Sequence, residues 1–104
     1  MNKKHLVFVP KNEQAVKDFE EGTDTKDQFI VYEISEDEFD ILWKHHVFDI
    51  LNEKYDLWID ECEEETVTAT QLKELYDAIS FHKGSWLDAV NKAIEIGTCA
   101  YLHF

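Results

Sequence analysis

The stretch FIVYEISEDEFDILW, residues 29–43, contains the change of periodicity on which the fold prediction depends. Its first six residues alternate between the two faces of a predicted strand. One face carries Phe29, Val31 and Glu33, and the other carries Ile30, Tyr32 and Ile34. Ser35 then precedes Glu38 by three residues, which is the spacing of a capping box, and predicts a helix that begins at Glu36.

This helix is predicted to continue to about Tyr55, with a kink or break near His45 and His46. Apolar residues recur along it at helical spacing, and such a stripe is typical of a helix packed on a core. The stripe consists of Phe39, Leu42, Trp43, Val47, Ile50 and Leu51. The opposite face is rich in carboxylates, so the helix is predicted to bury one side only.

The remaining elements are predicted from periodicity, capping pairs and the positions of Pro10, Gly22, Gly84 and Gly97. Further strands are predicted at 5–9, 57–59 and 98–104, and further helices at 12–21, at 72–79 and from Ser85 to Gly97. The pair Thr68 and Gln71 is predicted to cap the helix at 72–79, and the pair Ser85 and Asp88 the helix that begins at Ser85. The order β-α-β-α-β-α-α-β predicts a single α+β domain. Its sheet should have three or four strands, with helices on at least one face.

The composition predicts a globular domain because apolar residues make up 44% of the 104 residues and aromatic residues 13%. The two cysteines, Cys62 and Cys99, are too few for a disulfide scaffold, so reduced thiols are expected. The N-terminus does not resemble a signal peptide, and no apolar run is long enough for a membrane helix. We therefore expect a soluble, cytoplasmic protein.

Negative charge is concentrated in the middle of the chain. Residues 36–66 contain twelve acidic residues and two lysines, which gives −10 of the total net charge of −13. Such a field repels nucleic acid and anionic lipid and attracts cationic proteins. The chain also has ten lysines and no arginine, so binding to nucleic acid or to a membrane is not expected.

The acidic segment is therefore the candidate partner-binding site. Its members are Glu36, Asp37, Asp40, Glu53, Tyr55, Asp56, Trp58, Asp60, Glu61, Glu63, Glu64 and Glu65. Tyr55 and Trp58 are candidate anchors, because Tyr and Trp are enriched at binding hot spots. Trp58 either projects outward beside Asp60 or belongs to the core, and the run 60–65 either extends an edge strand or forms a loop.

Catalytic and metal-binding patterns are weak. His45, His46, Asp49 and Glu53 lie close in sequence, but no paired cysteines, repeated metal-ligand motif or calcium loop is present. The carboxylates around Cys62 disfavour a thiolate, and no glycine-rich phosphate loop exists. We predict no catalytic residues, no metal site, no cofactor and no enzymatic activity.

As a whole, the chain resembles the small acidic immunity proteins of bacterial toxin systems, including contact-dependent inhibition and other polymorphic-toxin loci. The likeness rests on the length and on three stretches: FIVYEISEDEFDILW at 29–43, YDLWIDECEEE at 55–65 and AVNKAIEIGTCAYLHF at 89–104. The resemblance implies that the chain binds a co-encoded toxin, often a basic nuclease domain, and blocks its active site or substrate groove. It implies no roles for individual residues.

Two other functions fit the same sequence. A nucleic-acid mimic would place carboxylates at phosphate-like spacing and inhibit a restriction or RNA-guided nuclease. A small metal-binding protein or enzyme would use the histidines and carboxylates between His45 and Glu53.

Overall fold

A computed structural model describes residues 4–60 and 63–104 of the chain. Strands β1 to β4 span His5–Pro10, Phe29–Ile34, Glu64–Thr68 and Cys99–His103. Helices α1 to α6 span Glu13–Glu21, Glu36–Lys44, Val47–Tyr55, Ala69–Glu74, Tyr76–Ile79 and Ser85–Ile96, and a 3₁₀ turn spans Lys26–Gln28. The helices and the four-stranded sheet confirm the predicted α+β class.

The sheet has the strand order β2-β1-β4-β3, and all neighbouring strands are antiparallel. β1 pairs with β2 through His5 and Ile34 and with β4 through Leu6 and His103. The last strand in the chain is therefore central in the sheet. β2 and β3 form its two edges.

The inner face of the sheet forms the main core with most of the helices. Helix α6 packs across β1, β2 and β4, and α2 packs on α3. The largest fully buried side chains from the helices and the C-terminus are Phe48, Trp86, Phe104, Leu42, Leu51, Leu72 and Ile79. The indole nitrogen of Trp86 donates to the carbonyl of Ile79 at 2.9 Å, which satisfies its polar atom inside the core.

The outer face of the sheet is only partly covered, because α1 is the helix that lies on it. Phe19 of α1 stacks on Tyr101 of β4 with ring centroids 4.0 Å apart. Phe29 and Cys99 are buried beneath it. Val31 remains 51% exposed, so a strip of apolar sheet next to β2 stays in contact with solvent.

Most boundaries follow from local signals. Asn12 accepts a hydrogen bond from the backbone of Ala15 at 2.9 Å, and Gly22 ends α1 in the left-handed conformation. The predicted break in the long helix is confirmed at His46, whose φ of 64° separates α2 from α3. Thr68 and Gln71 exchange both hydrogen bonds of the predicted capping box, at 3.0 and 3.1 Å.

The prediction of a strand at 57–59 is wrong. A side chain, and not a neighbouring strand, forms the hydrogen bonds to the backbone of this segment. Asn52 accepts from the N–H of Ile59 at 2.7 Å and donates to its carbonyl at 2.9 Å. The third strand instead begins at Glu64 and forms an edge of the sheet. Part of the acidic run thus follows the edge-strand alternative.

Two capping predictions need correction. Ser35 accepts from the backbone of Glu38 at 3.1 Å as predicted, but the Glu38 carboxylate points away from Ser35. It accepts instead from the N–H groups of Ser85 and Trp86, at 3.1 and 2.9 Å, and so caps α6. The predicted pair of Ser85 with Asp88 is wrong, because Gly84 is the N-cap residue and this distant carboxylate takes the capping role.

The predicted helix 72–79 consists of two shorter helices, α4 and α5, that meet at Leu75. No helix within 4–60 and 63–104 is long and apolar enough to cross a bilayer.

Candidate partner-binding surface

The structure distributes the predicted site residues over three elements. The first turns of α2 carry Glu36, Asp37 and Asp40, α3 and its C-cap carry Glu53, Tyr55 and Asp56, and the segment that leads into and begins β3 carries Trp58, Asp60 and Glu63–Glu65. Glu61 lies outside the described residues, as does Cys62.

Trp58 is an exposed side chain, with 79% of its surface accessible. Its neighbours alternate in burial even though the segment is not a strand: Ile59 is buried, and Asp60 is exposed. The hydrogen bonds between Asn52 and Ile59 fix the backbone on one side of the indole. The alternative in which Trp58 belongs to the core is therefore excluded.

Glu65 holds this segment against the sheet. One carboxylate oxygen accepts from the backbone N–H of Trp58 at 3.0 Å, and the other accepts from the N–H of Thr66 at 3.0 Å. Because both oxygens are bonded to backbone, Glu65 acts as a structural carboxylate that presents Trp58 at the surface. Its partly buried position agrees with that role.

Two histidine–carboxylate pairs lie at one end of the sheet, where β2 and β4 end and β1 and β3 begin. His5 Nε2 lies 2.8 Å from Glu36 Oε1, and His103 Nδ1 lies 2.9 Å from Glu64 Oε1. β2 and β3 are three strand spacings apart, or about 14 Å. We call this surface the acidic sheet end, and its members are Glu36, Asp37, Glu63 and Glu64.

His5 was not predicted to take part in any site, and it is almost fully buried. Its ring stacks on Phe39 with centroids 3.7 Å apart and meets Phe104 edge-on. Its Nδ1 has no hydrogen-bond partner among the described residues. Because its Nε2 is bonded to Glu36, His5 anchors the start of α2 to the start of β1.

The residues on α3 contribute differently from those at the acidic sheet end. The hydroxyl of Tyr55 donates to Glu74 at 2.6 Å, which places the ring against α4. Desolvation and the hydrogen bond to Glu74 raise the pKa of Tyr55 to about 12. The phenol therefore stays protonated at neutral pH and is already occupied within the molecule.

The histidines and carboxylates around the break between α2 and α3 do not converge. His46 Nδ1 lies 3.0 Å from Asp49, while the His45 ring lies against Phe81 at a centroid distance of 4.8 Å. Within 4–60 and 63–104, no group of three or more metal-ligating side chains is placed to hold an ion. Burial raises the pKa of the Cys99 thiol, so this cysteine is a poor nucleophile.

Sequence reasoning missed the apolar grooves on the outer face of the sheet. One cavity of about 310 Å³ is lined by Phe8, Phe19, Glu64, Glu65, Thr66, Tyr101, Leu102 and His103. A second of about 300 Å³ lies on the other side of Phe19, toward β2. The alternation of Phe29 and Val31 signalled this face, but the extent of its cover by α1 depends on tertiary packing.

The surface thus combines an acidic sheet end, an exposed and positioned tryptophan, and apolar grooves. These features are typical of a protein that binds another protein. Compared with known proteins, the chain matches no family model, no curated protein and no solved structure.

Proposed function

We propose that this chain is an immunity or inhibitor protein that neutralises a cognate cationic toxin domain, of the nuclease type, in the cytoplasm and has no catalytic activity of its own. The single observation that carries the proposal is the exposed Trp58, which Glu65 holds in place within the most acidic part of the chain. Tryptophan is among the residue types most enriched at binding hot spots, so an exposed and positioned Trp58 is a suitable anchor for a partner.

The charge around Trp58 supports a cationic partner. Arginine and lysine side chains of a toxin domain would pair with the carboxylates of the acidic sheet end, and Trp58 would provide the apolar contact. An interface of this kind buries about 1,600 Å² in total. The charges would mainly raise the association rate, and the tryptophan would mainly slow dissociation.

Co-expression with the product of the gene adjacent to this one tests the proposal, since a co-encoded toxin would be found there. The variant Asp37→Lys, Asp40→Lys, Glu63→Lys and Glu64→Lys leaves Glu36, Glu38 and Glu65 in their structural roles. Its matched control places four lysines at Glu13, Glu20, Glu21 and Asp77, which are exposed elsewhere and give the same net charge. We expect the first variant to lose protection and the control to keep it.

Surface plasmon resonance with the purified toxin domain separates the two contributions. The four-lysine variant should associate at least tenfold more slowly, whereas Trp58→Ala should dissociate faster. If both variants bind and protect like the parent, the proposed surface is wrong. Inhibition of several unrelated nucleases, reversed by added DNA, would instead support the nucleic-acid mimic.

A further inference from the structure

The two edges of the sheet differ in the state of their backbone N–H groups. On β3, the outward N–H of Thr66 donates to Glu65 and that of Thr68 donates to Gln71, both at 3.0 Å. Side chains therefore occupy the donors that a further strand would need. The occupied donors and the charge of Glu64 both oppose the pairing of β3 with a strand of another chain.

The outward groups of β2 follow from the alternation of an antiparallel ladder. Lys11 N–H donates to the Gln28 carbonyl at 2.9 Å, so Gln28 and every second residue after it direct their backbone groups toward β1. Phe29, Val31 and Glu33 consequently direct their backbone groups away from β1. Phe29 N–H donates to Lys26, but within the described part of the chain those of Val31 and Glu33 have no acceptor.

The side chains beside this free edge are apolar on the outer face. Val31 is half exposed and lines the cavity of about 300 Å³ with Phe8, Phe19 and Phe29, while Asp24 and Lys26 complete its lining. The one charged side chain of the strand is Glu33, which pairs with Lys4 at 3.8 Å. β2 thus has free backbone groups and an adjoining apolar groove, which β3 lacks.

The inner face beside the same edge carries two carboxylates and one lysine, a net charge of −1. Tyr32 is only partly buried, and Asp88, Lys92 and Glu95 of α6 act on it electrostatically. Lys92 is already paired with Glu95 at 3.1 Å. A side chain added next to Tyr32 would therefore meet a net negative charge.

We propose that the free edge of β2 accepts an extended segment of a cationic protein as a fifth strand, with apolar side chains toward Val31 and lysine or arginine toward Tyr32. The identity of that protein as the toxin rests on the proposed function above. Main-chain hydrogen bonds would provide affinity, and the alternate side chains would provide specificity, as in other strand-addition complexes. A second copy of this chain is disfavoured because each copy carries a net charge of −13.

A peptide of alternating lysine and valine, with seven residues and blocked ends, is the probe. Its first control has the same sequence with N-methyl groups on alternate amides, which removes the strand-forming donors and keeps the charge. Its second control has the same composition with lysines and valines in separate blocks. We expect the alternating peptide to bind at least tenfold more tightly than either control in fluorescence anisotropy titrations.

Amide hydrogen exchange locates the peptide. Binding should slow exchange at Val31 and Glu33 and leave Thr66 and Thr68 unchanged. The variant Val31→Pro removes one outward N–H and should weaken binding at least tenfold. The matched variant Thr66→Pro removes an outward N–H from the other edge and should bind like the parent.

Three results would overturn the proposal: equal binding of the N-methylated peptide, protection at β3 instead of β2, or a β2-mediated dimer of the free protein in analytical ultracentrifugation. The N-methylated peptide decides the matter even if Val31→Pro does not fold. Toxin binding separates the two proposals. If the four-lysine variant loses the toxin and a folded Val31→Pro variant keeps it, only the strand-addition proposal fails. The reverse result would exclude the acidic sheet end as the toxin contact and leave strand addition in place.

Discussion

The carboxylates at the start of α2 and those at the start of β3 have the same charge but different structural roles. At α2, Glu38 is only 8% exposed and caps a helix that begins 47 residues later in the chain. At β3, Glu65 is bonded to the backbone of Trp58, seven residues earlier, and to that of the adjacent Thr66. The first group stabilises the packing of distant elements, and the second positions a local surface.

This difference shows that a count of acidic residues overestimates the charge available to a partner. Glu36, Glu38, Glu64 and Glu65 all have partners within the molecule. Asp37 and Asp40 have exposed side chains without such a partner among residues 4–60 and 63–104. Stability measurements can separate the two roles.

The largest expected effect is that of Glu38→Ala. The substitution leaves the partly buried N–H of Ser85 and the buried N–H of Trp86 without an acceptor, which should cost about 3 kcal/mol of unfolding free energy. Urea denaturation measures the cost. Asp37→Ala, one position away and exposed, is the control and should change stability by less than about 0.5 kcal/mol; equal effects would contradict a special role for Glu38.

Gly84→Ala should have the next largest effect, because a Cβ at this position would lie 2.5 Å from Glu38 Oε2. The φ of 171° is extended, so the cost comes from the contact and not from the backbone. We expect a loss of about 1–3 kcal/mol.

A double-mutant cycle tests this cause. In the Glu38→Ala background, the same substitution at Gly84 should cost less than about 1 kcal/mol, because the opposing carboxylate is gone. Additive costs would mean that the two residues do not interact.

Glu65→Ala should have a smaller effect on stability, about 0.5–1.5 kcal/mol, because the bonds that it removes are near the surface. Its main result should be faster amide exchange at Trp58 and Thr66. Glu64→Ala removes only an exposed pair with His103 and should leave that exchange unchanged. If Glu64→Ala has the same effect as Glu65→Ala, Glu65 does not position Trp58.

Substitution of Asp18, a carboxylate outside both groups, should have the smallest effect on stability. Hydrogen bonds from Gln28, then Gln14, lower the pKa of Asp18 below its ordinary value of 3.8. A lowered native pKa means that the stabilisation is present above about pH 4 and is lost as the pH falls through the native value. Asp18→Asn should therefore lower the urea midpoint slightly at pH 7 and have progressively less effect below pH 4; a pH-independent difference would exclude this origin.

The elements that could be predicted from the sequence are those with local signals. Gly22 and Gly97 adopt the left-handed conformation at helix ends, and Thr68 caps α4 together with Gln71, three residues later in the chain. The alternation of Phe29 to Ile34 gave the correct faces because adjacent strand residues must point in opposite directions. These signals lie within a few residues of the structure that they specify.

The features that could not be predicted depend on contacts between distant residues. Asn52 bonds to both backbone groups of Ile59, so the strand predicted at 57–59 does not form. Glu38 accepts from the backbone of Ser85 and caps α6 in place of the predicted Asp88. For the candidate site, the sequence indicated the acidic residues and left the exposure of Trp58 open. Neither the pairing of Glu36 with the buried His5 nor the free edge of β2 has a local signature.

The central position of β4 has a consequence for synthesis on the ribosome. The pair β1–β2 and the strand β3 emerge first, but they join in one sheet only through β4, which follows them in the chain. Until Cys99–His103 has left the ribosome, the polypeptide therefore has two incomplete halves and open strand edges. Such species are prone to aggregation, so chaperone protection would matter for this protein until β4 has joined the sheet.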